Sequence, residues 1–132
     1  MGAGLLDMVR YTKFSLAQIW TDELGDPSDP AEFAFLYAYS PYHRVTDGTE
    51  YPAMLFTTGD NDVRVDPAHS RKMVARLQQA KPDGRAILLR YERNSGHGGS
   101  GGISNYIETA VDEKAFLMDA VGLAAPTVDK RE

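Results

Sequence analysis

Pro52-Ala53-Met54-Leu55-Phe56-Thr57-Thr58 runs straight into Gly59-Asp60-Asn61, and that junction decides the fold. The apolar run is continuous instead of alternating, as expected of a strand covered on both faces, and the glycine and short polar residues end it in a loop. Asp66-Pro67 comes next, an N-cap followed by proline in the first helical position, where a missing N–H is no loss. The periodic residues Ser70, Met73, Val74 and Leu77 carry a helix to Ala80, and Lys81-Pro82-Asp83-Gly84 stops it. A further buried strand follows, Ala86-Ile87-Leu88-Leu89-Arg90-Tyr91, leading into a glycine-rich loop over 95–102. Strand, helix and strand in this order, with continuous apolar strands, predict a parallel sheet covered by helices.

Outward from this unit the signals weaken. Gly2-Ala3-Gly4-Leu5-Leu6 is short, apolar and small-sided, a buried strand cut close to its start, so the chain reads as truncated. Residues 7–19 give a mixed helical signal through Met8, Val9, Tyr11, Phe14, Leu16 and Ile19. Residues 25–30 are turn chemistry. Pro30 opens a helix over AEFAFLYAYS that Ser40-Pro41 ends, since the residue before a proline is pushed out of the helical region. The last helix carries Ile103, Tyr106, Ile107, Ala110, Val111, Lys114, Ala115, Leu117, Met118 and Val121, mostly spaced for one buried face, with Gly122 as its cap. The expected fold class is α/β, about three parallel strands with flanking helices, in one domain or part of one over residues 1–132.

The 132 residues are 42% apolar and 25% charged, enough to bury a real core by a thin margin. Fourteen Lys+Arg against nineteen Asp+Glu leave a net charge of −5. That balance lacks the basic face of a nucleic-acid binder and the basic cluster that an anionic membrane attracts, so neither is an expected partner. No apolar run approaches the ~20 residues of a spanning helix, and the start lacks a signal peptide's basic and long apolar stretches. Cysteine is absent, which excludes disulfides, cysteine-ligated metals and thiol catalysis, and leaves the compartment unread.

In an open parallel sheet, chemistry sits on loops at the carboxyl ends of the strands. Residues 59–65 and 94–102 have that address. The first loop presents Asp60, Asp62 and Arg64, and the second presents His97 between Gly96 and Gly98. A carboxylate on one strand end and an imidazole on the next can form the pair behind a general base: the acid accepts one ring N–H, fixes the tautomer and stabilises the imidazolium. Spacing alone equally allows Asp62 to cap a turn and His97 to be a solvated loop residue. Gly98-Gly99-Ser100-Gly101-Gly102 matches G-x-S-x-G literally, but a nucleophile elbow needs a strand directly before its serine, and Ser100 also follows the histidine, against the order serine, acid, histidine. It reads as a glycine-rich helix start. His43, His69 and His97 do not form a metal-ligand motif, and His69 falls on the exposed first turn of a helix, where solvation is the default. Asp60 and Asp62 lack the ligand count of a calcium loop, and no glycine fingerprint opens a helix in the dinucleotide manner. No cofactor and no metal are expected.

Four motifs together resemble one family: Gly4-Leu5-Leu6-Asp7-Met8-Val9-Arg10-Tyr11, Tyr39-Ser40-Pro41-Tyr42, Thr58-Gly59-Asp60-Asn61-Asp62-Val63-Arg64-Val65 and Ser95-Gly96-His97-Gly98. Their order and their spread over essentially the whole chain are similar to the prolyl oligopeptidase family of serine peptidases, α/β-hydrolases with an added β-propeller. The resemblance implies the C-terminal part of such a catalytic domain, cut before the nucleophile elbow, from an enzyme hydrolysing peptide bonds on the carboxyl side of proline in short peptides. It implies Asp62 as the triad acid and His97 as the base. It also implies Trp20 as the face on which a proline ring stacks, Arg64 as a contact to a substrate carbonyl, and Val65 as a pocket wall. A flat indole suits a rigid ring, although a lone Trp20 is as readily core, and Arg64 is as readily ion-paired with Asp60 or Asp62. Leu24 departs from the family pattern, because prolyl-specific members carry a tyrosine there that lines the proline pocket. The serine, the oxyanion-hole tyrosine and the propeller are implied upstream of Met1. The expected partners are therefore a short peptide substrate and the remainder of the same polypeptide, and the chain by itself is expected to be inactive. Two rivals stay open: another α/β-hydrolase peptidase or esterase of acylaminoacyl- or dipeptidyl-peptidase type, and a non-catalytic pseudo-hydrolase module.

Overall fold

The computed structural model describes residues 2–99 and 102–124, so Ser100 and its G-x-S-x-G match lie outside the described residues. In chain order the helices are α1 (Thr21–Leu24), α2 (Pro30–Tyr39), α3 (Ala68–Ala80) and α4 (Gly102–Ala120). The strands are β1 (Met54–Gly59) and β2 (Ile87–Glu92), and 3₁₀ turns occupy Tyr11–Lys13, Ala17–Trp20 and Pro41–Arg44. The chain divides into two units, Met1–Ser100 and Gly101–Glu132.

β1 and β2 pair in parallel, from Met54 opposite Ile87 to Gly59 opposite Glu92, with α3 as their connection. This is the strand–helix–strand unit that residues 52–91 predict. Helix α3 turns Met73, Val74, Leu77 and Ala80 onto a core with Leu6, Val45, Phe56 and Ile87. Burying a side chain the size of Phe56 or Leu77 stabilises by about 1.5–3 kcal/mol. The capping expectation also holds in substance. Pro67 already has helical dihedrals (φ −58°, ψ −15°), and the Asp66 carboxylate accepts the Ala68 N–H at 2.8 Å. At α2, the Asp29 side chain accepts the Ala31 N–H and Pro30 sits at the first position, while Ser40 ends the helix in extended conformation.

Two expectations fail for identifiable reasons. The third strand, Gly2–Leu6, reduces to a single parallel bridge from Gly2 to Thr57 and an Ala3 N–H bond to the Thr57 carbonyl (3.3 Å). Ala3 has φ +41°, which turns the chain aside, and the Leu6 and Asp7 N–H groups donate to the His69 imidazole instead of to a strand. The helical signal over 7–19 resolves into two short 3₁₀ turns, Tyr11–Lys13 and Ala17–Trp20. The Asp7 carboxylate takes the Arg10 N–H, Phe14 is extended, and Ser15 has φ +44° with its hydroxyl bonded to Asp66. Side chains that bond nearby backbone or a distant carboxylate in this way compete with a helix. This segment still packs a second small core of Met8, Tyr11, Ala17 and Leu36, edged by Leu5, Trp20 and Leu24.

In the other unit, α4 ends as expected at Gly122 (φ +73°). The Gly122 and Leu123 N–H groups reach back to the Asp119 and Met118 carbonyls, the paired bonds of a Schellman cap. Within this unit nothing covers the face expected to be buried, and Ile103, Tyr106, Val111 and Leu117 are exposed, since a lone helix has no layer of its own to pack on. Among the described residues, no helix is long and apolar enough to cross a membrane.

Candidate active site

Because β1 and β2 are parallel and end level, Gly59 against Glu92, the loops that follow them emerge side by side. Gly59 lets them close. A methyl group on it would stand 2.3 Å from the Ser95 carbonyl oxygen, where no side chain fits. Across this contact the Asp60 N–H donates to the Glu92 carbonyl, the Asn61 N–H to the Ser95 carbonyl (both 2.9 Å), and the Ser95 N–H to Asp60 Oδ1 (3.1 Å). Backbone donation from Asn94, then from Ser95, holds the half-buried Asp60 carboxyl below the usual carboxylate range.

The closure brings His97 to Asp62. His97 Nδ1 lies 3.0 Å from Asp62 Oδ2 and 3.2 Å from Oδ1. Asp62 is 2% exposed, and its Oδ1 also accepts the Arg64 and Val65 N–H groups at 3.0 and 2.8 Å. Both readings of Asp62 therefore hold together: it caps its own turn and it grips an imidazole. A carboxylate at Nδ1 selects the tautomer with its proton there and leaves Nε2 as an acceptor. The His97 side chain is 41% exposed, open to a reacting partner.

The remaining sequence candidates lie around this pair. Val65 is buried beside Asp62. Arg64 is exposed, and among the described residues its guanidinium has no ion pair; Asp60 bonds Ser95 and Asn61, and Asp62 holds His97. Trp20 is half-buried at the edge of the second core, as is Leu24. Its segment is tied to the site by backbone, with the Leu16 N–H donating to the Val63 carbonyl at 3.3 Å, and by the Ser15 hydroxyl on Asp66 at 2.6 Å. Among the described residues no three His, Asp or Glu side chains converge as metal ligands.

One cluster is absent from the sequence reading. Asp7 is fully buried, its carboxylate bonded to Lys72 and paired with Arg10 at 3.5 Å and His43 at 3.9 Å. Burial works to raise this carboxyl, but the hydrogen bond and charge of Lys72, then His43 and Arg10, outweigh it and hold it below the ordinary 3.8. His69, expected in solvent, is 1% exposed. Its Nδ1 accepts the Leu6 and Asp7 N–H groups, which places its proton on the buried Nε2, and burial lowers its pKa against the opposing pull of Asp7 and Asp66. A serine, a histidine and an aspartate meet here as well, with Ser40 Oγ 2.8 Å from His43 Nδ1. Ser40 is fully buried and accepts the Met8 N–H, so no substrate reaches it. The signal for this cluster was the acid at Asp7, three residues before Arg10, inside an otherwise apolar run.

Comparison with known proteins gives a consistent result. The description "Prolyl oligopeptidase family" matches residues 1–124. A prolyl oligopeptidase of Omphalotus olearius is 41% identical over 127 residues, covering 94% of this chain and 17% of the relative. A prolyl endopeptidase of Elizabethkingia miricola is 38% identical over 123 residues, covering 92% and 17%. A solved prolyl endopeptidase superposes with a TM-score of 0.89 at 42% identity, covering 93% of this chain and 18% of its own. Prolyl oligopeptidase B from Galerina marginata, solved bound to a 35mer hydrolysis and macrocyclization substrate, gives a TM-score of 0.82 at 33% identity, covering 95% and 18%. The fold is thus of the α/β-hydrolase class, and the chain spans 17% of the length of these curated relatives.

Proposed function

Since the chain belongs to the prolyl oligopeptidase family of serine peptidases, we propose that it is the C-terminal portion of a peptidase cleaving on the carboxyl side of proline in short peptides, and that it supplies the triad acid and base. The carrying observation is the His97–Asp62 bond of 3.0 Å at the carboxyl ends of two parallel strands. The nucleophilic serine and the propeller belong to the remainder of the same polypeptide, outside these 132 residues.

Asp62 is the buried acid. It accepts the Nδ1 proton of His97, keeps the ring in one orientation and stabilises the imidazolium. His97 Nε2 removes the proton of the serine hydroxyl as that oxygen attacks the peptide carbonyl, then returns it to the leaving amine. A water, deprotonated at the same nitrogen, releases the acyl group. Arg64, exposed and without an ion pair among the described residues, is free to bind a substrate carbonyl. Trp20 offers its indole face to the proline ring, and Val65 walls the pocket. Leu24, apolar and without a hydroxyl, makes that pocket less strict than a tyrosine would.

The test joins this chain to the upstream segment that carries the nucleophile and follows hydrolysis of a blocked Gly-Pro reporter amide. Activity is expected from the assembled pair, and His97→Ala is expected to lower turnover on the order of 10⁶-fold, as loss of one triad member does elsewhere. The chain alone is expected to give none. Turnover unchanged by His97→Ala, or hydrolysis by the chain alone, overturns the proposal.

A further inference from the structure

We propose that Asp60 is a positioning residue, which sets where His97 stands relative to Asp62 by gripping the backbone of the loop that carries the histidine. This inference rests on the reading of Asp62 and His97 as acid and base. Asp60 does not touch His97. Its Oδ1 accepts the Ser95 N–H at 3.1 Å, and the adjacent Asn61 N–H donates to the Ser95 carbonyl at 2.9 Å. Ser95, two residues before His97, is therefore held at both of its main-chain groups from the neighbouring loop. The Ser95 hydroxyl adds a bond to Glu92 at 3.3 Å, and Ser95 is fully buried.

Past His97 the described chain is held locally, by the Gly99 N–H on the Gly96 carbonyl at 3.3 Å. Gly98 and Gly99 have φ of +86° and +89°, with nothing within 4 Å of where a side chain would begin. Among the described residues, the hold on this loop from its neighbour is thus on the Ser95 side of the imidazole. The Asp60 carboxylate brings a charge to Ser95 from the neighbouring loop, as Glu92 does from its own strand end, and a carboxylate accepting a backbone N–H makes a stronger bond than a neutral oxygen does. Donation from Asn94 and Ser95 keeps this carboxyl ionised to lower pH than an ordinary one, so the grip is charged at neutrality. The Gly59 contact supplies the room, and Asp60 fixes the register within it.

The test uses the 132-residue chain itself. Ring-nitrogen chemical shifts of labelled histidine, read at alkaline pH where imidazole is neutral, report the tautomer of His97. In the wild type His97 is expected predominantly as the Nδ1–H form that its bond to Asp62 demands. Asp60→Asn keeps the size and one acceptor oxygen but loses the charge, and is expected to lower the Nδ1–H to Nε2–H ratio by about three- to tenfold. Asp60→Ala is expected to lower it further, and Asp83→Asn, a charge change on a distant exposed turn, to leave it unchanged. An unchanged ratio in Asp60→Asn, or an equal fall in Asp83→Asn, overturns the proposal, and the asparagine variant decides even where the alanine variant does not fold. Mixed tautomers in the wild type would instead overturn the acid–base reading on which the proposal rests.

Discussion

A methyl group on Gly59 would lie 2.3 Å from the Ser95 carbonyl oxygen and 2.9 Å from that of Gly96, both parts of a backbone with little room to retreat. Gly59→Ala is therefore expected to destabilise by about 1–3 kcal/mol, the usual cost of overpacking. It is also expected to part His97 from Asp62, read as a lower denaturant midpoint together with loss of the Nδ1–H tautomer. A variant with wild-type stability and tautomer would contradict this. The residues of the site were legible in unequal degree. Asp62 and His97 lie on two of the few strand-end loops that a parallel sheet offers, but spacing alone leaves them an ordinary turn cap and loop histidine. It is the four motifs together that single them out as candidates for acid and base. Asp60 does not stand out, because its task is to hold a backbone N–H, and backbone partners leave no mark on residue type. The burial of His69 escapes the sequence for a related reason. Its helical position looks exposed until Leu6 and Asp7 arrive from a distant part of the chain to bond its ring.

At the level of elements, β1, α3 and β2 were readable because composition and pattern agree there: unbroken apolar strands, a cap, and a helix with one apolar stripe. Asp66 does two jobs in this unit, accepting the Ala68 N–H at the start of α3 and the Ser15 hydroxyl at 2.6 Å. Asp66→Ala is expected to cost about 1 kcal/mol for the cap, visible in urea unfolding, while Asp66→Asn restores most of it because an amide oxygen still accepts. Loss in both variants alike would point away from capping. The opening segment resisted reading because its structure is made by long-range partners. Its long-range hydrogen bonds run to Thr57, His69 and Ser40, none of which is near in sequence. Hydrophobic spacing over 7–19 resembles a helix only so long as those partners are out of view.

Over the whole molecule, the buried polar cluster makes stability acid-sensitive, and its groups act in one direction. Asp7, held below its ordinary value, contributes stability that is present above that value and is lost as pH falls through the folded one. His69 and His43 are each lowered first by burial, against the attraction of Asp7. The unfolded chain takes up their protons near the ordinary 6.5 while the folded chain resists, so their contribution is full above 6.5 and declines as pH drops toward the folded values. Lys72 and Arg10, fixed beside them, add to that resistance, and Asp66 opposes it at His69. The thermal midpoint is expected to fall from about pH 7 downward, more steeply below about pH 4, and His69→Gln should flatten the first part of the fall. A midpoint level between about pH 7 and 5 would refute this.

The grip on Ser95 has a consequence for the order of events. It closes entirely within residues 59–97, joining partners 35 positions apart through the pairing of two neighbouring strands. Ordering backbone costs about 1–2 kcal/mol per residue, and a three-part site that formed in one step would meet that cost for every part at once. Here the acid and the base, as proposed, are already registered on a folded frame. On the proposed reading, a nucleophile supplied by the remainder of the polypeptide would have only its own strand-to-helix turn to arrange. Completing the proposed site would then be a matter of docking two surfaces in the right alignment, with the frame of the acid and the base already folded on one side.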